Sequence, residues 1–170
     1  MRNKVIFYII LIFTFVIIQV NFLNFISIFG VIPNIVIVLI VSIALLEGKI
    51  HGAAVGFSVG LCMDAVVGVA LGFQALLGML LGFALGNTNK RFFKENLLVM
   101  FICTFISTIL FECAMFLGSY IYGIPLDFIL TLKNIIFPEA ILNSVLGLIL
   151  FFIIVQINKR WFYNQGKNRY

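Results

Sequence analysis

Long apolar runs without charge, separated by short polar turns, fill most of the chain. No charged residue occurs between Val5 and Leu46. A helix needs about 20 apolar residues to cross the hydrocarbon core of a bilayer. Runs of suitable composition lie at roughly 5–23, 31–47, 97–122 and 134–157. The pattern therefore predicts an all-α, polytopic membrane protein.

The glycine-rich stretch 50–89 is too long for one membrane-spanning helix and short for two. Charge decides the count, because cytoplasmic segments of membrane proteins carry an excess of Lys and Arg. One crossing puts seven basic residues outside and four inside, whereas two short helices, at about 51–64 and 72–87, put ten of the eleven inside and only Lys133 outside. We therefore expect a compact bundle of six transmembrane helices, the third and fourth short and glycine-rich, with both termini cytoplasmic.

Glycine recurs every fourth residue in both of these short helices. The residues are Gly52, Gly56 and Gly60 in the first and Gly78, Gly82 and Gly86 in the second, while Gly68 and Gly72 flank the link between them. Residues four apart share one face of a helix, and small residues there let two backbones approach closely in a membrane. These glycines predict helix packing or a groove for a partner helix, and they favour a position for both helices in the middle of the bundle.

Three polar residues within the predicted spans are candidate binding residues. Asp64 continues the first glycine stripe, Glu112 lies inside the fifth span, and Asn143 lies inside the last. All three fall at a similar depth in the outer half of the membrane, so we expect a polar cluster where the third, fifth and sixth helices meet. Because an ionisable side chain costs about 2.5–3.5 kcal/mol to insert, the cluster is either a binding site or ion relay, or a structural hydrogen-bond network.

Proline marks the expected starts of two helices. Pro33, followed by Asn34, precedes the second span, and Pro138 lies near the start of the sixth. Proline fits the first turn of a helix, where its missing N–H has no partner in any case. We therefore interpret these three residues as architecture.

The composition excludes most soluble functions. Of the 170 residues, 64% are hydrophobic and 10% are charged, and the mean hydropathy is +1.23, whereas soluble domains are about 45–50% apolar and about 25% charged. We expect one integral membrane domain, 1–170, without a separate catalytic or nucleic-acid-binding domain. The net charge of +5 comes from basic clusters beside the spans and is typical of membrane orientation.

The residue patterns of catalytic and metal sites do not occur in the sequence. Its one histidine, His51, lies in an inner loop, and Cys62, Cys103 and Cys113 lie in apolar runs without the spacing of a metal site. There is no Ser/His/Asp set and no phosphate-binding glycine loop followed by Lys. We therefore expect no enzyme, no metal and no cofactor.

The stretch from Pro33 to Leu77 reads PNIVIVLIVSIALLEGKIHGAAVGFSVGLCMDAVVGVALGFQALL. It resembles the rod shape-determining protein MreD family, whose members carry a Pro-Asp/Asn entry to the second helix and then an "AL..G...GA..GF..GL..D...G..LG..AL" run. The run is carried here by Ala44, Leu45, Gly48, Gly52, Ala53, Gly56, Phe57, Gly60, Leu61, Asp64, Gly68, Leu71, Gly72, Ala75 and Leu76. The last span also fits, with Pro138, Ala140 and Asn143. The clearest departure is Asn34, where an acid is expected.

The resemblance implies a non-enzymatic scaffold of the bacterial elongation machinery, or elongasome, in the cell (inner) membrane. It implies binding to the single-span protein MreC, and cooperation with MreB filaments and with the RodA synthase and its transpeptidase partner in peptidoglycan synthesis. Recognition would be helix to helix, through small-residue grooves and polar groups within the membrane. Basic cytoplasmic loops would contact anionic lipids or a partner.

A different class stays open as an alternative, the substrate-binding membrane subunit of an energy-coupling vitamin transporter. Such subunits are also six-helix proteins of this size, and they typically dock through an Ala-xxx-Ala face on the first helix. Residues 5–23 contain no Gly, Ala or Ser, which disfavours that alternative. A small secondary transporter is a third, weaker interpretation, because the residues of a proton relay are missing.

Overall fold

The computed structural model of the protein describes residues 2–21, 30–67, 71–87, 96–121, 123 and 127–167, which are helical apart from short connecting segments. The helices are α1 (Arg2–Asn21), α2 (Ile35–Glu47), α3 (Lys49–Val67), α4 (Phe73–Asn87), α5 (Leu97–Ile121), α6 (Phe128–Thr131) and α7 (Phe137–Lys167), and a π-helical segment, Leu132–Ile136, joins α6 to α7. The prediction of an all-α protein is confirmed for the described residues.

Among the residues that the structure describes, two helical stretches are long and apolar enough to cross a membrane. They are Leu97–Ile121, close to the predicted span 97–122, and Phe128–Gln156. Other apolar helices in the described part of the chain are shorter, among them Ile35–Glu47 and Phe73–Asn87. Helix α3 has 19 residues and is longer than the expected 51–64. Gly68, in the link after α3, lies outside the described residues.

Helix α2 occupies the centre of the bundle. Every residue from Ile35 to Leu45 is buried, and α1, α3, α4, α5 and α7 all pack against it. The expectation that α3 and α4 lie in the middle is wrong, because residues such as Phe57 and Leu80 are 45% and 53% exposed. Lipid tails are as apolar as a protein interior, so hydropathy does not show which span lies at the centre of the bundle and which spans face lipid.

The two glycine stripes face each other across the interface between α3 and α4. A Cβ atom on Gly56 would overlap the carbonyl oxygen of Gly78, and one on Gly78 would lie 2.5 Å from the carbonyl oxygen of Gly56. Gly52 and Gly82 oppose each other in the same reciprocal way. Gly60 and Gly86 continue the contact against the backbones of Gln74 and Ala75, and of Gly48 and Lys49, respectively. These faces are occupied within the chain, so they are not free to form a groove for a partner.

Gly48 alone separates α2 from α3. Its φ of 91° lies in a region that residues with a side chain rarely adopt, and its N–H donates to the carbonyl oxygen of Ala44 at 3.0 Å. The chain therefore changes direction within one residue, and α3 packs against α2.

Pro138 is the second residue of α7, in its first turn, although helical structure continues into α7 from α6 and the π-helical segment without a break. Helical structure begins at Phe128. Proline lacks an N–H, and inside a helix its ring clashes with the carbonyl group four residues earlier. The π-helical segment accommodates it by widening the preceding turn, where the N–H of Phe137 donates to the carbonyl oxygen of Leu132.

Candidate functional site

Asn143 joins three helices at the end of the bundle where α2 begins. Its side chain is fully buried. Its Oδ1 accepts from the backbone N–H of Asn34 at 2.7 Å, and its Nδ2 donates to Thr108 Oγ1 and to Glu139 Oε1, both at 3.3 Å. Asn143 therefore ties α7 both to α5 and to the start of α2.

The start of α2 explains why polar side chains gather here. The first N–H groups of a helix have no partner within it, and they are costly to leave bare away from water. The Ile35 N–H donates to Gln19 Oε1 of α1 at 2.9 Å, and the Ile37 N–H donates to Oδ1 of the N-cap Asn34 at 3.4 Å. Gln19 Nε2 also donates to the carbonyl oxygen of Pro33 at 3.2 Å. With the Asn34 N–H, three backbone donors at this start are satisfied by side chains.

Two glutamates complete this group, which we call the polar network: Asn34, Thr108, Glu112, Glu139 and Asn143. Glu139 is only 6% exposed and bonds to Asn143. The partly buried Glu112 is in hydrogen-bond contact with the Asn34 side chain and lies near enough to Glu139 for their charges to interact. The network thus places two carboxyl groups within range of electrostatic interaction among apolar helices.

Asp64 accepts hydrogen bonds from the backbone at the start of a different helix, α4. It is 3% exposed, and its two oxygens accept from the backbone N–H groups of Gly72 at 2.9 Å, Gln74 at 3.1 Å and Ala75 at 3.1 Å. Gly72 has a φ of 95° at this turn. The carboxylate at the end of α3 therefore caps the start of α4, where a negative charge also complements the helix dipole.

Replacing Asp64 by alanine is expected to destabilise the protein by about 2–3 kcal/mol, because three backbone donors lose their acceptor at a buried position. Asp64→Asn keeps one accepting oxygen, so its stability is expected to lie between those of the wild type and Asp64→Ala. The measurement is the unfolding midpoint of the purified protein in detergent. Asp127→Ala is the matched control, since Asp127 caps α6 in the same way but at an exposed position. An Asp64→Ala cost no larger than that of the control would contradict the capping role.

The structure brings together Glu112 and Asn143, two of the three residues that sequence analysis places in one cluster. Asp64 is not part of that group, because both of its oxygens are bonded to the turn before α4. A binding or relay role for any of the three stays a prediction. The hydrogen bonds of Asp64 and Asn143 show directly what these two side chains do within the chain.

Sequence analysis missed Gln19, Thr108 and Glu139 as members of the site. Each is a polar residue in or beside an apolar run, so the signal was present in the sequence. Neutral Gln and Thr stand out less than acids, because their insertion is less costly. Glu139 directly follows Pro138, within a helical run that begins about three turns earlier, at Phe128.

The described residues do not assemble a metal-binding set. No group of three or more His, Cys, Asp and Glu side chains there is placed to hold a metal ion. Cys62, Cys103 and Cys113 are free and partly buried. The polar side chains of the site form hydrogen bonds between helices.

The comparison with protein families agrees with the helical architecture. A family model described as rod shape-determining protein MreD matches residues 1–160. The chain belongs to the MreD family. No curated protein and no solved structure gave a significant match.

Membership of the MreD family implies a role in rod shape determination. MreD proteins are membrane proteins, and the long apolar helices agree with membrane insertion. The family is a structural, shape-determining one. The alternative of a vitamin-transporter subunit gains no support from these findings.

Proposed function

We propose that this MreD-family protein is a non-enzymatic membrane component of the bacterial cell-elongation machinery. It binds the transmembrane helix of an MreC-like single-span protein and helps to maintain rod shape through control of peptidoglycan synthesis. The observation that carries the proposal is the family match over residues 1–160. MreB, RodA with its transpeptidase partner, and anionic lipids are further partners on the same basis.

The proposal includes a six-span topology with both termini in the cytoplasm. The spans are α1 to α5 and the run Phe128–Gln156. Helix α2, with 13 residues, covers only about 20 Å, so its start falls within the membrane. Backbone at membrane depth is tolerated when protein groups satisfy it, and the capping of this start by Gln19, Asn34 and Asn143 supports such a position.

Cysteine labelling in intact cells tests the topology. The three native cysteines are first replaced, and single cysteines are introduced at Lys90, Lys133 and Lys167. A membrane-impermeant maleimide is expected to label the cysteine at 133 in intact cells and those at 90 and 167 only after lysis, because basic segments stay inside. Labelling at 90 or 167 from outside would reverse the proposed orientation.

The physical mechanism is recognition between helices by a rigid platform. The reciprocal glycine contacts fix α3 on α4, and the polar network fixes α7 on α5 and α2. Lipid provides little drive for helix association, so a partner helix is held by close packing and hydrogen bonds. Such a platform acts without turning over a substrate.

Two measurements test the function. An affinity-tagged copy, extracted from its own membranes in mild detergent, is expected to retain a single-span MreC-like protein. Depletion of the protein is expected to round rod-shaped cells. Co-purification of ATPase subunits with a bound vitamin, together with unchanged cell shape on depletion, would instead identify a transporter subunit.

A further inference from the structure

A groove between α4 and α5 opens on the surface of the bundle. Its volume is about 270 Å³, and its lining includes Leu80 and Ala84 of α4 and Ile106, Ser107, Leu110 and Phe111 of α5. Leu110 is 63% exposed, so it stands at the rim, while Ser107 is 2% exposed and forms part of the floor. We propose that this groove receives the transmembrane helix of a second membrane protein, whose polar group bonds to Ser107.

The unpartnered hydroxyl of Ser107 points to a ligand in this groove. Five hydroxyl side chains are buried among the described residues, and four of them, Ser42, Thr104, Thr108 and Ser144, donate to the carbonyl oxygen four residues earlier. Ser107 alone of these makes no hydrogen bond in the described part of the chain. A buried hydroxyl without a partner costs roughly 1–3 kcal/mol, so an acceptor that enters the groove gains a bond that the isolated protein lacks.

The size and charge of the groove identify the class of occupant. Pockets for drug-sized molecules are about 300–1,000 Å³, and a cavity of about 150 Å³ already accepts a benzene ring. A volume of 270 Å³ therefore suits a few inserted side chains. None of the described residues that line the groove is ionisable, so the complementary partner is uncharged at this depth.

A transmembrane helix meets these requirements and a lipid tail does not. Both are apolar, but an acyl chain carries no hydrogen-bond acceptor at the depth of a mid-helix serine. A helix offers carbonyl oxygens at small residues and the hydroxyl or amide groups of polar ones. This inference rests on the proposed function, because it assigns a location to the binding of the single-span partner.

Paired substitutions test the location. Leu110→Trp fills the rim of the groove, and Ile10→Trp adds the same bulk at a position of similar exposure, 58%, on α1, which packs on α2 and α3 away from the groove. With an MreC-like single-span protein co-expressed and the tagged chain purified in mild detergent, Leu110→Trp is expected to lower partner recovery at least tenfold. Ile10→Trp is expected to lower it less than twofold.

Ser107→Ala separates a contact with the partner from a structural role. Because Ser107 makes no bond within the described chain, the melting temperature of the isolated protein is expected to stay unchanged or to rise, since the substitution removes an unpartnered buried hydroxyl. Partner recovery is expected to fall about threefold, the value of an average interhelical hydrogen bond in a membrane. Ser144→Ala, which removes a buried hydroxyl bonded to its own helix, is the control and is expected to retain the partner.

The groove is the wrong site if Leu110→Trp and Ser107→Ala both recover wild-type amounts of partner while wild-type protein binds it. It is also wrong if a cysteine at 110 forms disulfides between two copies of this chain, or if Ser107→Ala lowers the melting temperature. A wild-type protein that recovers no single-span partner would overturn the proposed function and the groove assignment together.

Discussion

Gly56→Ala is expected to destabilise the protein by roughly 3 kcal/mol or more, which is the upper end of the usual cost of overpacking. The new methyl group would overlap the Gly78 carbonyl oxygen, and the nearest atoms are backbone atoms that cannot rotate away. Helices α3 and α4 would have to separate, so the reciprocal contact of Gly52 with Gly82 would weaken as well. The measurement is the yield of monodisperse protein and its unfolding midpoint in detergent.

Gly147→Ala is the matched control for this prediction. A Cβ atom there would meet Thr104 Oγ1 at 3.4 Å and Met100 Cε at 3.5 Å, which are ordinary contacts. Alanine also favours helix over glycine by about 1 kcal/mol, so the control is expected to be neutral or slightly stabilising. Equal midpoints for the two variants would show that the α3–α4 interface tolerates separation, and the account of the glycine stripes would be wrong.

Asn143→Leu is expected to have the second large effect, a loss of about 2–4 kcal/mol. The substitution keeps the branching and the number of non-hydrogen atoms of the side chain and removes three hydrogen bonds. It leaves the Asn34 N–H at the start of α2 and the buried Glu139 without this partner, and the desolvation cost of such groups is no longer offset. Unfolding in detergent measures the loss.

Ser144→Ala is the control for the polar network, because Ser144 is equally buried and neighbours Asn143 in sequence. Its hydroxyl bonds only to the carbonyl oxygen of Ala140, at 2.6 Å, and its removal is expected to cost less than about 1 kcal/mol. If Asn143→Leu and Ser144→Ala unfold together with the wild type, the cross-helix bonds contribute nothing to stability.

The helices themselves could be read from the sequence because hydropathy and turn residues mark them directly. Helix α5 ends at Ile121, one residue from its predicted end, and α4 begins at Phe73, one residue after its predicted start. The glycine spacing marks the faces on which α3 and α4 approach each other closely. These features are local, and they depend on residues within one or two helical turns.

The arrangement of the helices could not be read in the same way. Nothing in its apolar sequence distinguishes α2, the buried centre, from a helix that faces lipid on every side. Asp64 appeared to belong with Glu112 by depth, but its partners are backbone groups across a turn, at Gly72, Gln74 and Ala75. Nearly every residue has a backbone N–H, so the sequence does not show from which of these groups a buried carboxylate accepts a hydrogen bond.

The buried start of α2, one of whose caps comes from the last helix, has a consequence for synthesis of the chain. Helix α2 enters the bilayer before α7 has been made, and lipid solvates its apolar surface as well as protein does. Most of α2 is therefore stable in the membrane before α7 is present. Its one hydroxyl, Ser42, is bonded to its own helix. Its first turn is different, since Asn143 reaches the Asn34 N–H only when the last helix arrives. A ribosome stalled before that point would leave the Asn34 N–H without this partner inside the membrane, so the native arrangement is completed only when α7 has inserted.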